Sequence, residues 1–161
     1  MYRKLSDFID DYKSESEKTL ATINAIPDTL LDSKVDPLGM SLAELAFHIT
    51  QAIEKITSQI GIKFSPSLIG MGLPEDIKQI AELYEFAANN LIETIGSQVD
   101  DDFLDKRFQV YGMTWSVGQT LSMLVKHEIH HRAQIVIGLR VLGQAVPDIY
   151  GPARSAQPPL G

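Results

Sequence analysis

The sequence predicts an all-α fold, a four-helix bundle followed by an extended C-terminal tail. Three observations predict it. Four segments carry apolar residues at three- and four-residue spacing, stretches rich in Gly, Pro and Asp separate them, and no segment alternates in the manner of a β-strand. A chain of 161 residues fits one domain spanning 1–161, and it is long enough to bury a core without disulfide or metal staples.

The first helix is expected from about Ser6 to Ile26, with Leu5, Phe8, Ile9, Tyr12, Leu20, Ile23 and Ile26 on its apolar side and Pro27 ending it. Ser41 with Glu44 three residues on is a capping-box pattern that opens the second helix. That helix buries Leu42, Leu45, Ile49, Ala52, Ile53 and Ile56 and stops near Gly61. Gly61, Pro66, Gly70, Gly72 and Pro74 crowd the next connection, which is expected to cover one end of the bundle as a lid. Pro74, Glu75 and Asp76 start the third helix, a proline and two acids at the positive end of the dipole, and Gly96 ends it. Asp100, Asp101, Asp102 and Asp105 then form a solvated acidic turn without the ligand pattern of an EF-hand.

The fourth helix is expected from about Thr114 to Leu142. Val117, Leu121, Leu124, His131, Ile135, Gly138 and Leu142 form its core stripe. Residues 143–161 hold half of the chain's eight prolines and no helical pattern, so they read as a tail that packs across the bundle or on a partner subunit.

Composition removes several functions. With no cysteine, the chain has no disulfide, no thiolate metal site and no thiol nucleophile of its own. A formal net charge of −7 offers no diffuse positive field for phosphates, so nucleic acid is not an expected partner. Asp7, Asp10 and Asp11 stand where a signal peptide needs an apolar run, and Ile135 to Leu139 is too short to cross a bilayer. The expectation is a cytoplasmic protein with no membrane partner.

The chemistry lies in the histidines. His127 and His131 are four residues apart, so their rings share a helical face, His131 on the core stripe and His127 about 40° beside it at ~100° per residue. His48 follows Leu45 by three and precedes Ala52 by four, so it too turns inward, whereas His130 points elsewhere and reads as exposed or interfacial. A lone inward histidine is a core residue satisfied by a hydrogen bond. Three are better satisfied together by one divalent cation, which accepts all three nitrogen lone pairs. Three nitrogen ligands also leave a coordination position open for water or substrate.

His127-Glu128-Ile129-His130-His131 also satisfies H-E-x-x-H, the zinc metallopeptidase pattern in which the glutamate is the general base. Against it, no His or Glu follows His131, and Gln134 and Ile137 stand where the longer pattern wants Gly and His. Glu128 is expected instead to pair with Arg132 at i+4.

The run TWSVGQTLSMLVKHEIHHRAQI, continuing through LRVLGQAVPDIYGP, resembles the C-terminal half of the DinB/YfiT-like family, and Ser41 to His48 resembles its second helix. The His131-Arg132-Ala133-Gln134 run is similar to the family's H-R-G-Q, with Ala133 in place of glycine. The resemblance implies a four-helix bundle with a divalent metal held by His48, His127 and His131. Relatives include metal-dependent transferases and isomerases that use a low-molecular-weight thiol. It therefore implies a metal-dependent enzyme acting on a small-molecule substrate, a thiol-dependent S-transferase or a hydrolase.

Zinc or nickel heads the candidate metals, with iron, manganese and cobalt behind. The thiol, if used, comes from outside this cysteine-free chain. Tyr84, Tyr111, Trp115 and Gln134 are candidates to line the pocket. The alternative is a metal-binding or stress-response protein without turnover, working as a homodimer through an exposed face and the tail.

Overall fold

The structure is a computed structural model that describes residues 2–153. Four helices make up most of it: α1 (Leu5–Asn24), α2 (Leu42–Thr57), α3 (Ile77–Gln98) and α4 (Val117–Val141). Helices α1 and α2 each pack against both α3 and α4, so α2 lies alongside α4 along one edge of the bundle. The centre is filled by side chains such as Phe8, Ile23, Ile53, Leu91, Leu121 and Ile135, each essentially excluded from water and each contributing about 1.5–3 kcal/mol by its burial.

Helix α2 starts as its capping box requires: Ser41 Oγ accepts the Glu44 N–H at 3.2 Å, and Glu44 accepts the Ser41 N–H at 2.7 Å. Helix α3 begins later than the proline suggests. Asp76, not Pro74, caps it by accepting the Gln79 N–H at 2.8 Å, and the helix runs through Gly96 to Gln98. The acidic turn after it has a structural task, since Asp101 Oδ1 accepts the Leu5 N–H at 2.8 Å and so closes the start of α1.

A two-stranded antiparallel hairpin, β1 (Arg107–Val110) and β2 (Met113–Ser116), stands where no strand was expected and where helix was expected from Thr114. Each strand has only four residues, too few for alternation to stand out in the sequence. Tyr111 and Gly112 form the two-residue turn with φ of 49° and 78°, the backbone that a tight hairpin demands. Phe108 faces Trp115 across the strands, and both pack on the core. Ser116 ends β2 and caps α4 in a second capping box with Gln119.

The connection through Pro66 is tied to the second half of α2. Glu54, itself buried, accepts from Ser67 Oγ and from the Leu68 and Ile69 N–H groups, while Gln51 donates to the Leu68 and Met71 carbonyls. The segment between α1 and α2 approaches α4 closely. There Gly138 allows the close approach: a Cβ would meet Leu42 Cδ2 at 2.8 Å and Val35 Cγ2 at 3.2 Å, and those side chains would have to shift.

The described part of the tail, residues 143–153, packs across α4 and α1. Tyr150 Oη donates to Glu15 Oε2 and accepts from Arg132 Nη2, both at 2.6 Å, closing a buried ion pair between the two helices. The extended tail expected beyond residue 153 lies outside the described residues. Tyr150→Phe removes the tail's hydrogen bonds to two charged groups. We expect a loss of about 1.5–3 kcal/mol in urea unfolding, and an unchanged midpoint would show that the tail adds no stability.

Candidate metal centre

Side by side, α2 and α4 bring three imidazoles to one point. His48 lies one turn beyond Leu45 on α2, and His127 and His131 lie one turn apart on α4. His48 Nε2 and His127 Nε2 are 3.3 Å apart, and one ring nitrogen from each of the three histidines falls within 4.8 Å of the others. The rings of His48 and His131 meet edge to face with centroids 4.6 Å apart, as do those of His127 and His131 at 4.5 Å. All three side chains are half-buried.

The spacing has a chemical reading. Two nitrogens each about 2.0–2.1 Å from a tetrahedral zinc are about 3.3–3.4 Å apart, which is the separation of His48 and His127. One hydrogen-bonding proton can join those two nitrogens but leaves the third without a share. A cation serves all three.

Protonation is consistent with this. Burial, followed by the neighbouring His131 and His48, pushes His127 down to about 4. Burial and His131 also lower His48. Both lone pairs are therefore available at neutral pH. The residues fit a divalent ion, and among the described residues this is the group that could hold one.

Gln134, one turn beyond on α4, partners the third histidine. Its Oε1 lies 2.7 Å from His131 Nδ1, and in the Nδ1–H tautomer that nitrogen donates to the amide oxygen and leaves the Nε2 lone pair free. Loss of such a partner costs a ligating histidine its tautomer and orientation. For Gln134→Ala we expect metal affinity to fall by roughly 10–100-fold, read by competition with a chromophoric chelator. Unchanged affinity would remove Gln134 from the site.

The other pocket candidates fall elsewhere. Tyr84 is fully buried and donates its hydroxyl proton to Glu128 inside the bundle. Tyr111 is exposed at the hairpin turn, and Trp115 lines a separate surface cleft with Gln119, Ser122, Met123 and Lys126. His130 is exposed, as expected.

The expected Glu128–Arg132 pair does not form. Arg132 turns into the bundle towards α1, where its Nη2 meets Glu15 Oε2 at 2.6 Å and its Nη1 donates to the Glu15 carbonyl and Thr19 Oγ1. Glu128, one position from His127, faces Tyr84 instead, and burial raises its carboxyl above the ordinary range despite the opposing hydrogen bonds.

Beside the histidines lies a cavity of about 550 Å³ that reading the sequence did not find. It lies between the start of α2 and the second half of α4, under the segment that joins α1 to α2. His131, Gln134 and Ile137 line one wall, Leu42, Glu44 and Leu45 another, and Lys34 to Met40 the roof. A cavity of this volume is in the range of small-molecule sites.

A four-helix bundle whose facing helices bring three histidines together, next to a cavity, defines a class of helical proteins equipped to hold a metal ion. Residues 1–159 match the DinB family model, and the chain belongs to the DinB family. It is 29% identical over 154 residues to the uncharacterized protein YrdA of Bacillus subtilis strain 168, a match that covers 96% of this chain and 92% of that one. The fold is similar to the crystal structure of a DinB-like protein from Bacillus cereus ATCC 10987, with a TM-score of 0.87, 28% identity, and coverage of 93% of this chain and 100% of that chain. A second DinB-like structure, YjoA of Bacillus subtilis, shares the fold at 19% identity with a TM-score of 0.72, covering 91% of this chain and 99% of its own. No described helix is long and apolar enough to cross a membrane.

Proposed function

We propose that His48, His127 and His131 bind one divalent cation, and that the chain is a metal-dependent enzyme acting on a small molecule, of the thiol-dependent S-transferase or the hydrolase type. One observation carries this reading: three imidazole nitrogens converge within 4.8 Å beside a cavity large enough for a substrate. A structural site closes its metal with four protein ligands, whereas three leave a position for an incoming molecule. Zinc or nickel suits this donor set best, with iron, cobalt and manganese as further candidates.

Such an ion, when bound, lowers the pKa of a water or thiol and so supplies the nucleophile that the side chains lack. The chain's own residues do the positioning. Gln134 partners His131, and side chains of Val35, Met40, Leu42, Leu45 and Ile137 supply apolar surface beside the reacting groups. Glu128, shut inside the bundle against Tyr84, is not placed to act as the general base of a metallopeptidase. The charge of −7 speaks against nucleic acid as the substrate.

The test is a panel of small thiols with an electrophilic acceptor, and of activated esters and amides, using protein of measured metal content. Turnover that is lost on chelation and restored by metal supports the enzyme. Bound metal without turnover across the panel moves the reading to a non-catalytic metal-binding protein.

A further inference from the structure

The walls of the cavity restrict what it can hold. Most of its lining is apolar, from Val35, Leu38, Met40, Leu42, Leu45 and Ile137. Of the polar groups, two carboxylates are engaged in local structure: Asp36 Oδ1 accepts the Leu38 N–H at 3.0 Å, and Glu44 accepts the Ser41 N–H at the start of α2. The donors are freer. The Lys34 ammonium approaches its one ion-pair partner, Glu44, no closer than 3.8 Å, and Gln134 spends its oxygen on His131, so its amide N–H₂ has no protein partner among the described residues.

The charge balance points the same way and rests on the metal reading above. Three neutral imidazoles neutralise none of a divalent ion's charge, so a loaded site places an uncompensated dication beside an apolar chamber. With Lys34 set against Asp36 and Glu44, the loaded cavity is net positive. An anion with an apolar body satisfies both the field and the walls.

We propose that the cavity binds a small monocarboxylate, its apolar body against Leu42, Leu45, Met40 and Ile137 and its carboxylate recognised by Lys34 together with the positive field of the histidine site. The segment from Lys34 to Met40 sets the specificity. It supplies both the ammonium and part of the apolar wall, and Leu38 at its tip is 97% exposed.

Isothermal titration with phenylacetate, its amide and phenethylamine tests this on protein of measured metal content, with no need for turnover. The metal-loaded protein is expected to bind phenylacetate roughly tenfold more tightly than the amide, the amine being weakest, as a charge-assisted contact provides. Lys34→Gln is expected to remove most of that preference while leaving amide binding unchanged. Ile137→Trp, at a position 55% exposed and so safe for folding, is expected to weaken acid and amide together by filling the chamber.

An acid bound no better than the amide, a preference unmoved by Lys34→Gln, or an acid affinity unmoved by Ile137→Trp each overturns the proposal, the last by placing the acid on the metal alone. Metal-free protein separates the two readings. Without metal the cavity sets Lys34 against two carboxylates, so the preference is expected to vanish. A preference that persists in metal-free protein overturns the part played by the site's positive field, failure to take up metal sinks both readings, and metal-loaded protein without the preference sinks this one alone.

Discussion

His48→Ala is expected to lower metal affinity by about 10²–10³-fold and to leave the fold intact. Structural zinc sites with four ligands are worth about 10–16 kcal/mol at neutral pH, so one ligand accounts for roughly a quarter of that, and the loss of one of three weighs at least as heavily. The folded protein should tolerate the change, because His48 is only half-buried and its ring lies against those of the other two histidines. Two measurements separate the effects. Without metal, wild type and variant should melt at nearly the same temperature. With metal at about 100 times the wild-type Kd, wild type should gain about 2.7 kcal/mol by mass action and the variant almost none. His130→Ala is the control, since that ring is exposed and outside the cluster. A His48→Ala protein that still holds one equivalent at wild-type affinity would refute the shared site.

The position of His48 was legible for a simple reason. Its spacing from Leu45 and Ala52 fixed the face, and α2 packs on α4, so that face had to meet His127 and His131. Helix periodicity carries this kind of information because a side chain's direction follows from its place in the repeat. What it does not carry is the partner chosen by a polar residue on the stripe.

Glu15, Thr19 and Thr22 continue the inward stripe of α1 between Tyr12 and Ile23, and all are buried. A break of that sort in an apolar stripe is the sequence signal of a buried polar partner, and it could have directed Arg132 to α1. The local i,i+4 rule gave Glu128 instead, because on an exposed helix face that pair has no competitor. Inside the bundle the competition is decided by desolvation, which favours the partner that can saturate the guanidinium. The hairpin was missed for a different cause. Its two strands are too short to show a period, and a Tyr-Gly turn lacks the Asn-Gly or Asp-Gly signature. The cavity is a property of how three segments meet, and no single segment encodes it.

Arg132→Ala should cost about 3–5 kcal/mol of folding stability, the penalty for leaving a buried carboxylate without its partner. Arg132 is 2% exposed, and its guanidinium holds the Glu15 side chain, the Glu15 carbonyl, Thr19 and Tyr150 at once. The same anchor sets the rotation of α4, since Arg132 can reach α1 only while His131, the next residue back, turns toward α2. Arg132→Ala should therefore weaken metal binding as well, without touching a ligand.

A double-mutant cycle with Glu15→Gln separates the two parts of the loss. If the penalty is the unpaired charge, Glu15→Gln in the Arg132→Ala background should restore part of the stability but not the metal affinity. pH gives an independent reading. Burial pushes the Glu15 carboxyl up, but hydrogen bonds from Tyr150, Arg132 and Lys18 outweigh it and hold the group below its ordinary 4.5. A carboxyl whose pKa is lower in the folded state stabilises the fold above its unfolded pKa, and that contribution disappears as the pH falls through the folded value. Wild type should thus lose stability below about pH 4.5 more steeply than Glu15→Gln does. Parallel acid profiles would mean that the Glu15–Arg132 pair adds nothing in its charged form, and the cost of Arg132→Ala would then belong to packing.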